Sequence, residues 1–137
     1  MTIALLAHDS KKELMCQFCN AYRDVLSRHK LIATSATARQ IANSTGLTVV
    51  DYMPGSGGGV EQITSAISYG EVDVVLMFRD SDRTVEDIHE TELLKSCDKN
   101  AIPYATNMIT GEVIIRSLDR GDLDWLEYEH KKNNFII

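Results

Sequence analysis

Three cysteines in 137 residues cannot form a closed disulfide set, so Cys16, Cys19 and Cys97 are expected as free thiols of a reducing, cytoplasmic setting. Basic residues are also scarce: 14 Lys and Arg face 20 Asp and Glu, giving a net charge of −6 and a pI near 5.1. That balance excludes a nucleic-acid or anionic-membrane surface as the main partner. Any anion site must then be a local arrangement of donors. Long apolar runs are missing too. The opening stretch Thr2-Ile3-Ala4-Leu5-Leu6 is too short for a membrane span and has no basic leader, so it is expected to be neither span nor signal peptide. Repeats, low-complexity tracts and linkers are absent. What is there is ordinary for a soluble protein, 44% hydrophobic and 25% charged, in a length that suits one domain with a real core.

Along the chain, strand and helix patterns alternate. Thr2 to Ala7 reads as a strand buried on both faces, and His8-Asp9-Ser10 ends it. Leu14, Phe18, Ala21 and Val25 recur at helical spacing and predict one helix over 11–30. Strands follow at 31–34, 47–52, 72–78 and 102–106. Helices are predicted over 37–45 (closed by Gly46), 60–69, 90–99 and 110–120, with an acidic loop over 79–88. Strict β/α alternation implies a single-domain, three-layer α/β/α fold around a five-stranded parallel sheet. The core covers about 1–120, and a tail of 121–137 follows. Trp125, Tyr128 and Phe135 in that tail are expected to pack on the domain or on a neighbouring subunit.

In such sheets the ligand sits beyond the carboxyl ends of the strands. Those ends are His8-Asp9, Thr34-Ser35, Tyr52 to Gly59, Arg79-Asp80 and Thr106-Asn107, all polar or glycine-rich. Four of the eight glycines crowd into Gly55-Ser56-Gly57-Gly58-Gly59, between a strand and a helix. Backbone N–H groups of such a turn converge on an anion, and the helix N-terminus adds favourable partial charge. Bland readings stand beside these. His8-Asp9 also suits a strand terminus with a helix cap, and Thr37 a cap alone. Lys12 sits in a first helical turn, where a cation opposes the helix dipole. His89 among Asp87, Glu90 and Glu92 reads as a solvated helix start rather than a metal site, and the Cys16/Cys19 pair lacks the further ligands zinc needs.

The strand ends Ala7-His8-Asp9 and Ala105-Thr106-Asn107, with Ala33-Thr34, Gly46-Leu47 and Arg79-Asp80, resemble methylglyoxal synthase from Met1 to about Arg120. The resemblance implies a cytoplasmic homohexamer that converts dihydroxyacetone phosphate to methylglyoxal and phosphate with no cofactor and no metal. It assigns His8, Asp9 and Asp80 to the catalytic site. Phosphate or ligand binding falls to Lys12, Thr34, Thr37, Gly55, Gly58, Gly59 and Asn107, to which the glycine-rich turn itself adds Ser56 and Gly57. The chain departs from the pattern at four places. Ala36 replaces a threonine, Pro54 replaces a phosphate-contacting serine, and Val60 stands where the family has its catalytic aspartate. The family's Pro-His-x-Pro-Asp motif is replaced by the shorter Asp82 to Glu92.

Valine cannot take a proton from carbon. Glu61 is chemically adequate as a replacement, but neighbours at a helix start project about 100° apart. It takes the role only if the extra loop glycine shifts the helix start by one position. The leading expectation is therefore a binding protein that holds a phosphorylated small molecule, such as a nucleotide-type signal, without turnover. An active synthase with Glu61 as base is the alternative. A regulatory or structural subunit with a vestigial crevice is the third reading.

Overall fold

The computed structural model describes residues 1–52, 57–83 and 87–135, with side chains through position 130. Of the glycine run, Pro54, Gly55 and Ser56 lie outside those ranges, so the expectation placed on Gly55 and Ser56 is not described.

The strands are β1 (Thr2–Ala7), β2 (Lys30–Thr34), β3 (Val49–Tyr52), β4 (Val74–Phe78) and β5 (Tyr104–Ala105). All pair in parallel in one five-stranded sheet of order β3-β2-β1-β4-β5. The helices are α1 (Lys12–Ala21), α2 (Arg23–Leu26), α3 (Ser35–Thr45), α4 (Gly59–Ser68), α5 (Ile88–Lys99), α6 (Met108–Asp119) and α7 (Asp124–Phe135). Alternate side chains of the central strands serve two cores. Ile3, Leu5, Val74 and Leu76 meet Phe18, Ile41 and Ile115, from α1, α3 and α6. Ala4, Leu6, Val75 and Met77 meet Ile63, Ile67 and Leu93, from α4 and α5. Both faces are covered, which is why β1 and β4 read as unbroken apolar runs. The chain builds outward from β1 to β3, then crosses back to place β4 on the other side of β1. The crevice of such a sheet opens at that reversal.

Several element boundaries differ from the sequence expectation, each for a local reason. The single helix expected over 11–30 is broken: Asp9–Lys11 is a 3-10 turn, α1 stops at Ala21, and Tyr22 leaves helical backbone geometry. Its ring packs on Phe18 at 5.0 Å between centroids, and its hydroxyl accepts from Arg116 Nε at 3.2 Å. Helix α5 begins at Ile88, not Glu90, because the Asp87 carboxylate accepts the His89 N–H at 2.9 Å. Helix α6 begins at Met108 because Asn107 Oδ1 accepts the Thr110 N–H at 3.0 Å. Gly46 closes α3 with φ at +75°, a backbone conformation that favours glycine.

The tail forms α7, in which Leu126 and His130 are buried against the domain while Trp125 and Tyr128 are exposed on the single chain. Docking falls to the smaller apolar residue and to an ion pair, because His130 Nδ1 lies 2.8 Å from Asp73 Oδ1 just before β4. Phe135 is beyond the residues whose side chains are described.

Candidate functional site

The reversal between β1 and β4 brings together residues far apart in sequence. His8 follows β1 directly, and its N–H donates to Phe78 O at 3.1 Å, so the ladder runs one step past the strand. The imidazole is then fixed from both sides. The Asp80 N–H donates to Nδ1 at 2.8 Å, while both carboxylate oxygens of Glu90 stand 2.8 Å from Nε2. A nitrogen that accepts a backbone N–H carries no proton, so Nε2 is the protonated one and donates to Glu90. Only 9% of His8 and 14% of the Glu90 side chain are exposed, which makes this an interior hydrogen-bonded pair. The Arg83 guanidinium stands 3.5 Å from Glu90 Oε1.

Asp80 is the other half of this turn. Ser10 Oγ donates to one of its oxygens at 2.8 Å and the Asp82 N–H to the other at 3.0 Å. These two bonds, the Ser10 hydroxyl first, hold its carboxyl below the usual range. Lys12 pairs with Asp9 three residues back, and that hydrogen bond lowers the Asp9 carboxyl in the same way.

These groups face a cavity of about 800 Å³. His8, Asp9, Lys12 and Asp80 line one side. Thr34 and Ala36 line a second, and Gly58, Val60 and Glu61 at the start of α4 a third. Helix α4 starts at Gly59, one residue ahead of the expected Val60, and both Val60 and Glu61 reach the cavity wall. Gly58 sits at φ +100°, and a Cβ there would stand 3.3 Å from Glu61 Oε2. The other oxygen of Glu61 lies 3.1 Å from His89 Nδ1. The glutamate therefore bends over the N-terminus of its own helix and across to α5.

The remaining sequence candidates lie elsewhere. Thr37, Gly57, Gly59 and Asn107 are not on this wall. Thr37 is 2% exposed and its hydroxyl has no hydrogen-bond partner among the described residues. The Asn107 side chain is committed to capping α6 and faces a neighbouring cavity. Glu90 corrects the reading of a solvated acidic helix start, since it is turned inward onto His8. Arg83 had no signal of its own in the sequence. The one hint for Glu90 was its place three residues after the cap Asp87, the position from which a glutamate usually reaches back to its own helix. Burial pushes the thiols of Cys19 and Cys97 up to about 12, so neither supplies a thiolate. No helix among the described residues is long and apolar enough to cross a membrane.

A parallel sheet with polar side chains gathered past its central strand ends defines a doubly wound α/β protein whose crevice lies at the strand reversal. Comparison with known proteins narrows this class. The family model of the MGS-like domain matches residues 14–106. The methylglyoxal synthase of Caldicellulosiruptor saccharolyticus is 48% identical over 135 residues, covering 96% of this chain and 94% of its own. That of Oceanobacillus iheyensis is 45% identical over 130 residues, covering 93% and 91%. Among solved structures, the methylglyoxal synthase of Elizabethkingia anophelis superposes with a TM-score of 0.78 at 31% identity, covering 83% of this chain and 76% of its own. The chain belongs to the methylglyoxal synthase-like family.

Proposed function

We propose that this protein is a working lyase of the methylglyoxal synthase type, acting on dihydroxyacetone phosphate with Glu61 as base. The observation that carries this is the Glu61 carboxylate on the wall of the same cavity as His8, Lys12 and Asp80. Relatives named methylglyoxal synthase at 45–48% identity support it. The binding-only reading, which leads from sequence alone, becomes the second one.

The chemistry needs no cofactor. Glu61 takes a proton from the hydroxymethyl carbon, and the electron pair moves onto the carbonyl oxygen as an enediolate. The terminal hydroxyl oxygen of the enediolate then closes to an aldehyde, and the double bond shifts towards the ester carbon. Phosphate leaves as that C–O bond breaks, the proton held by Glu61 going to the phosphate. The enol left behind gains a proton at its terminal carbon and loses one from oxygen, giving methylglyoxal. Atoms balance without water or an electron acceptor. Lys12, Thr34 and the N-terminus of α4 hold the phosphate. Glu90 holds His8 in one tautomer and one orientation at the cavity.

In steady-state kinetics on dihydroxyacetone phosphate, Glu61→Gln is expected to lower kcat by at least about 100-fold, the usual contribution of a general base. An unchanged kcat would remove Glu61 from the role. Val60 is the specific observation favouring the second reading, since it sets an apolar side chain on the cavity wall beside Glu61. Under that reading the wild-type protein shows no turnover, while glycerol 3-phosphate raises its melting temperature.

A further inference from the structure

Behind the wall made by His8, Asp80 and Glu90 lies a second cavity of about 690 Å³. It shares that wall with the first and carries its own residues on the far side, Lys11, Arg79, Thr106 and Asn107. The consecutive lysines at the start of α1 diverge: Lys12 lines the first cavity and Lys11 the second.

The lobe's charged groups balance, Lys11, Arg79 and Arg83 against Asp80, Asp87 and Glu90, but they are not paired with one another evenly. Its acids already have partners within the protein. Asp80 accepts from Ser10 and the Asp82 N–H, Glu90 from His8 with Arg83 beside it, and Asp87 from the His89 N–H. Lys12 in the first lobe is likewise paired, with Asp9. Lys11 and Arg79 make no side-chain hydrogen bond or close ion pair with a described residue, Lys11 acting on the Asp80 carboxylate only at longer range. The twelve-residue helix α6 also begins at this lobe, and Asn107 caps it from the cavity wall. The positive end of its dipole adds to Lys11 and Arg79.

We propose that this second lobe is an anion subsite with Lys11 and Arg79 as its donors. The two lobes together then take a small metabolite carrying two phosphoryl groups, one in each. The inference rests on the reading that the first lobe holds a phosphate, and it goes beyond the triose phosphate assigned there. A monophosphate fills one lobe only. A bisphosphate bridges both, binds more tightly, and competes with the substrate. Arg79 suits the task because its guanidinium presents a fork that matches two phosphate oxygens.

The test is calorimetric titration of the intact protein, at fixed ionic strength, with glycerol 3-phosphate and with fructose 1,6-bisphosphate. The bisphosphate is expected to bind about tenfold more tightly, the gain of one charge-assisted contact. In the double variant Lys11→Gln/Arg79→Gln that advantage should vanish, with glycerol 3-phosphate affinity unchanged. Arg79→Lys should restore part of it, which separates charge from folding. Equal affinities in the wild type, or an advantage that survives the double variant, would overturn the subsite and leave the first-lobe reading standing. Binding of neither ligand would overturn both.

Discussion

Glu90 shows how far one side chain can alter the reading of a site. Both of its oxygens lie 2.8 Å from His8 Nε2, and the Asp80 N–H occupies the opposite ring nitrogen. Replacing the carboxylate with alanine leaves a buried imidazole N–H without an acceptor, at a cost of roughly 1–3 kcal/mol. Glu90→Ala is therefore expected to lower stability by that amount in urea unfolding and to lower kcat as well. Full activity in Glu90→Ala would show that the His8 tautomer is not needed. At this scale the sequence was partly legible. His8, Asp9, Thr34 and Asp80 could be placed at the cavity because strand ends in a parallel sheet put their residues in the crevice. Lys12, in α1, was reached only through the family resemblance. Glu90 and Arg83 were not, because the contact with His8 spans 82 positions and no local pattern encodes it.

Among the elements, α7 is held by a buried pair that neither propensity nor periodicity announces. His130 directs Nδ1 at Asp73 Oδ1 and Nε2 at the Ala101 carbonyl, 2.8 and 3.3 Å away. Two acceptors require two ring protons, so the folded state holds an imidazolium. The Asp73 hydrogen bond raises the His130 pKa. Burial alone would raise the Asp73 carboxyl, but the bonds from His130 and the Thr2 N–H outweigh it and hold it below the usual value. The His130 contribution is then complete below its unfolded value, about 6.5, and the Asp73 contribution above its own, about 3.9. The first is lost as pH rises through the raised folded pKa, the second as pH falls through the lowered one. Removing one partner of such a pair costs on the order of 3 kcal/mol. The melting-temperature gap between wild type and His130→Ala should be wide at about pH 6 and shrink at about pH 9. A gap that does not change with pH would contradict the imidazolium. Helix ends marked by Gly46 and by the cap residues Asp87 and Asn107 were close to legible, since the caps act within a few residues. The break at Tyr22 was not, because Arg116 on α6 meets the Tyr22 hydroxyl from 94 positions away.

For the whole molecule, alternation of strands and helices was enough to predict a parallel three-layer fold, and the sheet order places the crevice between β1 and β4. The order itself follows from pairing over long separations. Ile109 and Val113 on α6 and Trp125 and Tyr128 on α7 are exposed apolar side chains of the single chain. We propose that a homohexamer covers them, as the family resemblance implies. Light scattering should then give a mass near six times 15.3 kDa, and Val113→Glu should lower it. A wild-type mass of one chain would refute the assembly.

The most direct test of the proposed activity is to follow dihydroxyacetone phosphate by proton and phosphorus NMR with the wild-type protein and with Glu61→Gln. Methylglyoxal and inorganic phosphate formed in equal amounts by the wild type, and by the variant at no more than about one hundredth of the rate, is the expected result. An intact phosphate ester after long incubation with the wild type would contradict it and leave a protein that binds phosphorylated ligands without turning them over.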